Sequence, residues 1–528
     1  MEINMKFMRS AFAAAALLFA SATGHAQSFL PTTITSDANT IFRDYNTDGV
    51  PSSGAYNPQK SQIRSLFGAI GSIIISSDKT LAVPADYATV QDALAAVQNS
   101  IIDSGVTVTI AVTGRQTYTT PIQVRHPYGD RICITGTPTT TQAISAFASA
   151  TGSAGGWSVK ITVPSTSGIA VGDLVGVEGA SGVTYADLQD GIWNVSAINS
   201  STQLTETNTT WYSTAPPAGA VGTLRTYPTQ LKFTASTGVE ADHLGCLEEI
   251  ALHGSLTGTA FGLFVKDPDD AIQQGTVLAG PHLGVAGFTV DGVRANYGGV
   301  IRASYVSVSN NGNNGFLTRD LAHINCQAGC VSTGNGISGL APVQSGGNGF
   351  EAELDSSQLL EGALSVGNFE DGYLARTNSS ILCDNSAPCS AIGNLTNNYE
   401  TQVLGFLQNV GGVAFGAGND SWVANGGVML AISSTANHSG SNSYAATLGG
   451  YLNAQTSTAT NQVDNGYSSS GTGTLIDATG STVVATVGGT PYLAGDTGYL
   501  INTGAAGLTT ASPTVNTGAV APAGYIRH

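Results

Sequence analysis

The sequence predicts an all-β chain wound as a right-handed parallel β-helix, a solenoid with an N-terminal capping helix and a small inserted β module. Three observations predict it. The composition is rich in glycine and poor in charge, with 67 Gly and only 10% charged residues, against about a quarter in an ordinary domain. Such a chain favours short strands and tight turns over long helices. Aromatic residues recur at Phe350, Tyr373, Tyr399, Trp422, Tyr444 and Tyr467, at gaps of 23, 26, 23, 22 and 23 residues. Small residues follow each aromatic by two positions: Ala352, Ala375, Thr401, Ala424, Ala446 and Ser469. A unit of that length cannot bury its own apolar face, whereas stacked units can, at about 4.8 Å per strand spacing. Like residues then align in columns, large ones in one inward column and small ones in another. A leucine-rich repeat would show a fixed Leu/Asn ladder, and a propeller blade is longer.

Taken in order, residues 1–26 read as a signal peptide. Lys6 and Arg9 precede the apolar run "AFAAAALLFA", and small residues follow at a cleavage site; the run is too short to span a bilayer. The expected location is outside the cytoplasm: periplasmic, extracellular or cell-surface. Residues 27–82 form an N-terminal attachment or capping element with a short helix in "KSQIRSLFGAIGSI". Within it, Asp44-Tyr-Asn46-Thr-Asp48-Gly49 opens like an EF-hand loop. The twelfth position, where such a loop needs a bidentate acid, is Ala55, so turn chemistry is the better reading. Residues 83–156 start the β-helix with its cap helix: Thr89 is placed to cap, and Val90, Leu94 and Val97 share one face. "GVTVTIAV" then alternates as a half-buried strand. Residues 157–227 read as the inserted module, from the alternation in "WSVKITV" and "GIWNVSAI".

Residues 228–480 carry the rungs and 481–528 the C-terminal cap or tail. "ICITG" (132–136), "IALHG" (250–254) and "FTVDG" (288–292) share an apolar-x-apolar-x-Gly pattern and read as early repeats. Leu359, Ile381, Leu407, Met429, Leu452 and Leu475 read as a second column. Six Cys follow the leader, an even number in an oxidising compartment. Cys326 with Cys330, and Cys383 with Cys389, are disulfide candidates that would staple excursions outside the core. No suitably spaced His/Cys set favours zinc instead. His126, His243, His253, His282 and His323 are scattered, and no cofactor is expected.

The net charge of −17 argues against nucleic acid as a partner, and no segment past the leader is apolar for long enough to span a membrane. The candidate catalytic residues lie on two neighbouring rungs. If Phe350, Ala352 and Leu354 face inward, then Glu351, Glu353 and Asp355 face out, and Arg376 stands one 23-residue period beyond Glu353 with Asp371 in the turn between. Carboxylates beside an arginine suit sugar hydrolysis, which needs an acid and a base or nucleophile. They equally suit a lyase, which needs a base and a cation for an enolate-like intermediate. A solvated strand face with a cross-rung ion pair is the plain structural reading. The acidic loop "KDPDD" (266–270) reads first as a solvated turn.

"RDYNTDGVPSSGAYNPQKSQIRSLF", "RHPYGDRI", "DGIWNVSAI" and the terminal "ASPTVNTGAVAPAGYI" resemble segments of phage and prophage tail-spike or tail-fibre proteins of the pectate-lyase-like β-helix superfamily. That resemblance implies a homotrimer whose partner is a cell-surface or extracellular polysaccharide, bound or depolymerised. Such proteins assemble in the cytoplasm, so the export leader is a departure and points to a tail-spike-like body used for secretion. The alternative is a non-catalytic structural or adhesive surface protein with the β-helix as a rigid scaffold.

Overall fold

The computed structural model describes residues 64–68, 73–211, 215–266, 275–336, 346–484, 491–495, 498–501 and 525–527. The leader, the Asp44–Gly49 element, the acidic loop beyond Lys266 and most of the C-terminal tail lie outside the described residues.

The chain coils into a parallel β-solenoid with three faces. Face 1 has 15 strands, while faces 2 and 3 have 12 each. Each turn visits the faces in the same order: Val300–Ala303 on face 1, Val306–Ser309 on face 2, Phe316–Arg319 on face 3. Strands three elements apart therefore pair, and every pairing within these three sheets is parallel. The strands run mostly to three or four residues because corners rich in Gly, Asn and Ser interrupt them.

The interior follows from the repeat. Phe316, Phe350, Tyr373, Tyr399, Trp422, Tyr444, Tyr467 and Tyr492 occupy one register column on face 3. Their rings stack 3.9–6.1 Å apart, at interplanar angles of 4–11°. The small residues two positions on are all buried beside the stack, so both expected columns are present. The second apolar column needs correcting at its ends. Ile381, Leu407, Met429 and Leu452 point inward, but the inward neighbours in register with them are Gln358 and Ile476. Leu359 and Leu475 sit one residue off, and Leu359 is exposed. A one-residue shift in a strand reverses the face.

The three early segments are not equivalent either. Ile132–Thr135 is a face 1 strand and Ala251–His253 a face 2 strand, while Phe288–Gly292 forms the bend between faces 2 and 3. Their shared pattern reflects the local need for inward apolar residues and a glycine corner.

Two polar ladders hold the corners. After face 2, the Asn311, Asn335 and Asn368 side chains donate to the Oδ1 of the next rung's asparagine at 2.9–3.0 Å, ending on Asn394. Before face 3, the Asp291, Asn314, Asn348, Asp371, Asn397 and Asp420 Oδ1 atoms accept the backbone N–H one rung on. Turn backbone cannot pair with itself, so buried Asx side chains satisfy it.

The first rungs are capped by the helix Val90–Val97. Thr89 and Asp92 form a reciprocal capping box, and Val90, Ala93, Leu94 and Val97 are buried. The inserted module is an antiparallel sheet of eight strands between Thr140 and Thr226. It begins before residue 157, where the alternation first becomes clear, because Thr140–Ile144 pairs with Val221–Thr226.

All six cysteines are paired: Cys133 with Cys246, Cys326 with Cys330, and Cys383 with Cys389. The placement corrects the expectation that the last two staple excursions outside the core. Cys326, Cys330, Cys383 and Cys389 are buried within the main apolar cluster. Each pair joins the last residue of a face 1 strand to the residue preceding a face 2 strand. Inward-facing sulfurs there close a corner from inside.

Candidate functional site

Residues at the second and fourth positions of face 3 strands project outward, and on the middle rungs these columns carry charge. Arg319 and Glu353 are register partners. Glu353 and Arg376 follow in the same column, because Ala352 pairs with Ala375. Arg376 Nη2 lies 2.5 Å from Glu351 Oε1 and 2.8 Å from Glu353 Oε2. Arg319 Nη1 reaches the other Glu353 oxygen at 3.2 Å, and its Nε lies 3.6 Å from Asp320. The structure thus brings Glu351, Glu353 and Arg376 together and adds Arg319, which the 23-residue arithmetic passed over.

Exposure separates these groups. Glu351 was expected to face solvent, yet it is only 1% exposed. Its position is outward from the strand, but Arg376 and Asn348 cover it; Asn348 Nδ2 donates to Glu351 Oε2 at 2.9 Å. Burial, opposed by Arg376 and helped by Glu353, pushes the Glu351 carboxyl up to about 7. Asp371 is likewise buried, as a member of the corner ladder. Burial and neighbouring Glu400 push its carboxyl well up. Glu400 itself accepts hydrogen bonds from Asn397 Nδ2 and Gln402 Nε2, both at 2.6 Å. Glu353 is half-buried between two guanidinium groups. Asp355 is exposed, past the strand end, and accepts from Asn378 Nδ2.

Where face 3 turns into face 1, a surface groove of about 510 Å³ is lined by Tyr297, Gly298, Asp320, Leu321, Leu354 and Asp355. These residues come from the same corner on three successive rungs. Arg319 links the groove to the charged array, bonding Glu353 on one side and Asp320 on the other. Tyr297 and Leu321 are 60% and 65% exposed. Farther along the same edge, exposed Val403, Leu404 and Leu448 continue an apolar ridge. It adjoins a face 1 column of Phe406, Val428, Tyr451, Leu475 and Tyr499, paired rung to rung.

Other clusters do not converge on a site. Cys133 and Cys246 lie beside Glu248, but the sulfurs are bonded to each other and so unavailable as ligands. His126 bonds the Val97 carbonyl at 3.0 Å. His253 is buried beside Asn194, and burial, with Lys232 nearby, pushes its imidazole down to about 4. Among the described residues, no helix is long and apolar enough to cross a membrane.

We found no family model that matches this chain, and no curated protein that does.

Proposed function

We propose that the protein is exported and engages a polysaccharide chain at the corner groove between faces 3 and 1. One observation carries the reading: the groove joins exposed apolar side chains to carboxylates, and it opens beside the Glu353–Arg319–Asp320 array. Sugar rings present apolar faces and hydroxyl donors together, and Tyr297 with Asp320 and Asp355 complements both. The long parallel scaffold supports the reading because it repeats the same corner every rung, which suits a repeating ligand.

A second reading, depolymerisation, draws on the same carboxylates. Glu353 and Asp355 are the carboxylates of the proposed catalytic set that reach the surface, and they would be the reacting pair. Arg376 would act as the positioning residue for Glu353, with Glu351 holding Arg376 in turn, while Asp371 stays in the corner ladder. The plain scaffold reading is favoured by the burial of Glu351 and Asp371, which fits an ion-pair node of purely structural value. We also propose self-association as a homotrimer, supported by the apolar column on face 1; light scattering of the full chain tests it.

Incubation with a polysaccharide panel separates these readings. Bound glycan with no new reducing ends and no change in viscosity supports binding alone. New reducing ends that vanish in Glu353→Gln and Asp355→Asn support depolymerisation, and they mark hydrolysis when no unsaturated product absorbs in the ultraviolet. A panel without any bound member rules out the glycan reading and leaves the scaffold.

A further inference from the structure

We infer that the corner groove selects a glycan free of carboxylate and sulfate groups, a neutral or amino-sugar chain, with Tyr297 and Leu321 as the platform under its rings. The inference rests on the glycan reading above and narrows it.

Charge is the first argument. The groove walls carry two carboxylates, Asp320 and Asp355, and no cation. The guanidinium groups of the neighbouring charged array are committed: Arg376 to Glu351 and Glu353, Arg319 to Glu353 and Asp320. A uronate or sulfate entering the groove meets like charge on its walls, and neither guanidinium of the array is free to offset it. Hydroxyl, N-acyl and ammonium donors instead meet acceptors. The same commitment disfavours eliminative cleavage, which needs both a uronate and a free cation beside it.

Backbone conformation is the second argument. All six lining residues hold positive φ, and five of them are not glycine: Tyr297 at 49°, Asp320 at 56°, Leu321 at 65°, Leu354 at 55° and Asp355 at 59°, with Gly298 at 77°. Each such residue costs about 1 kcal/mol or more when it is not Gly, Asn or Asp, which leaves Tyr297, Leu321 and Leu354 as the strained ones. Equivalent corners farther along keep the same backbone with Thr377, Val403, Leu404 and Leu448 as well as Asn378, Gly426 and Gly471, so the edge of bulky residues extends past the groove. Around the groove Tyr297 and Leu321 hold this conformation with their side chains exposed to water. Exposed apolar side chains held at a repeated corner suit a ligand that repeats its apolar ring faces.

The test uses the full chain and four probes of matched length: a neutral glucan oligosaccharide, a chitosan oligosaccharide, an oligogalacturonate and a sulfated glucan. Calorimetry is expected to show binding of the glucan, the chitosan oligosaccharide or both, and none of the anionic pair. Tyr297→Ala and Leu321→Ala are expected to weaken binding about tenfold each. Asp320→Asn with Asp355→Asn is expected to weaken the chitosan oligosaccharide more than the glucan. These residues are exposed, so unchanged melting curves confirm that the variants fold. Binding of only the anionic probes overturns the inference while leaving the glycan reading intact. Neutral or amino binding that is indifferent to Tyr297 and Leu321 overturns the groove as its location. Binding of no probe overturns the glycan reading itself.

Discussion

Arg376 stands one rung beyond Glu351 on face 3 and holds it at 2.5 Å, sealing beneath the surface a carboxyl whose other oxygen accepts from Asn348. The same guanidinium spans to Glu353, so one side chain organises two carboxylates of different character. One is buried and inclined to keep its proton; the other is half-exposed and flanked by a second arginine.

Removing the arginine is therefore expected to be costly. Arg376→Ala leaves Glu351 buried without its partner, and a loss of about 3–5 kcal/mol follows. Arg376→Met combined with Glu351→Leu is expected to recover most of it, because an apolar pair needs no compensating charge. Denaturant melts of the single and double variants check both statements.

The Glu351 carboxyl also makes stability depend on pH. Its folded value of about 7 lies above the ordinary 4.5, so between those values the folded state binds more protons than the unfolded chain. Its contribution is fully present below about pH 4.5 and is lost as pH rises through 7, up to about 3 kcal/mol in all. Melting temperatures of wild type minus Glu351→Gln, measured from pH 4.5 to 8, are expected to fall across that window. A difference independent of pH contradicts the assignment.

Glu206 offers a second buried carboxyl, in the inserted module. It is fully buried between Val159 and Val195, and neither oxygen has a hydrogen-bond partner. Burial pushes its carboxyl well up, so it too favours acid and weakens the module as pH rises. Glu206→Leu is expected to stabilise the module by about 1–3 kcal/mol at neutral pH. Hydrogen exchange of the strands Gly156–Thr162 and Gln203–Asn208 reads the change locally.

The aromatic stack predicts graded losses. Tyr399 stacks between Tyr373 and Trp422, and its hydroxyl donates to the Cys389 carbonyl at 2.9 Å and the Val413 carbonyl at 3.0 Å. Tyr399→Phe removes only the polar contacts, for about 1 kcal/mol. Tyr399→Ala opens a cavity in the narrow core, for about 3–5 kcal/mol. The melting temperatures of the two variants are expected to fall in that order.

Inward placement of the disulfides gives a chemical prediction. Cys326–Cys330 and Cys383–Cys389 are closed to solvent, so a reductant with an alkylating agent is expected to label neither pair until denaturant is added. Mass spectrometry of the alkylated peptides reads this directly, and native labelling at Cys383 or Cys389 contradicts the buried corner.

Much of the fold was legible because a solenoid writes its geometry as a period. The aromatics from Phe350 to Tyr467 announced the stack, and the same arithmetic placed Arg376 beside Glu353. Arg319 escaped it because the interval from Phe316 to Phe350 is 34 residues, so a fixed step of 23 from Glu353 lands elsewhere. Stepping by that longer interval leads from Glu353 to Arg319. Burial of Glu351 was not legible. Alternation tells which side of a strand a residue takes, but not whether neighbours on that side close over it. The corner groove was hidden for a related reason: Tyr297, Leu321 and Leu354 occupy positions that glycine or asparagine usually fill, and sequence patterning marks such positions as turns.

The inserted module does more than decorate face 2. The Ile192 backbone N–H donates to Ser309 Oγ, Thr209 Oγ1 to the Gly334 carbonyl and the Trp211 backbone N–H to the Gly367 carbonyl. Leu188 packs with Val366 and Ile392, and Tyr185 meets Phe415 edge-on at 4.8 Å. These anchors fall on five successive face 2 strands. A solenoid otherwise couples each rung only to its neighbours, so it frays rung by rung. A splint fixed at five points adds a parallel load path, tying those rungs into a single mechanical block. Among the described residues the rungs beyond Phe415 carry none of those anchors, so under force or heat the solenoid is expected to peel from its C-terminal end and arrest where the splint begins.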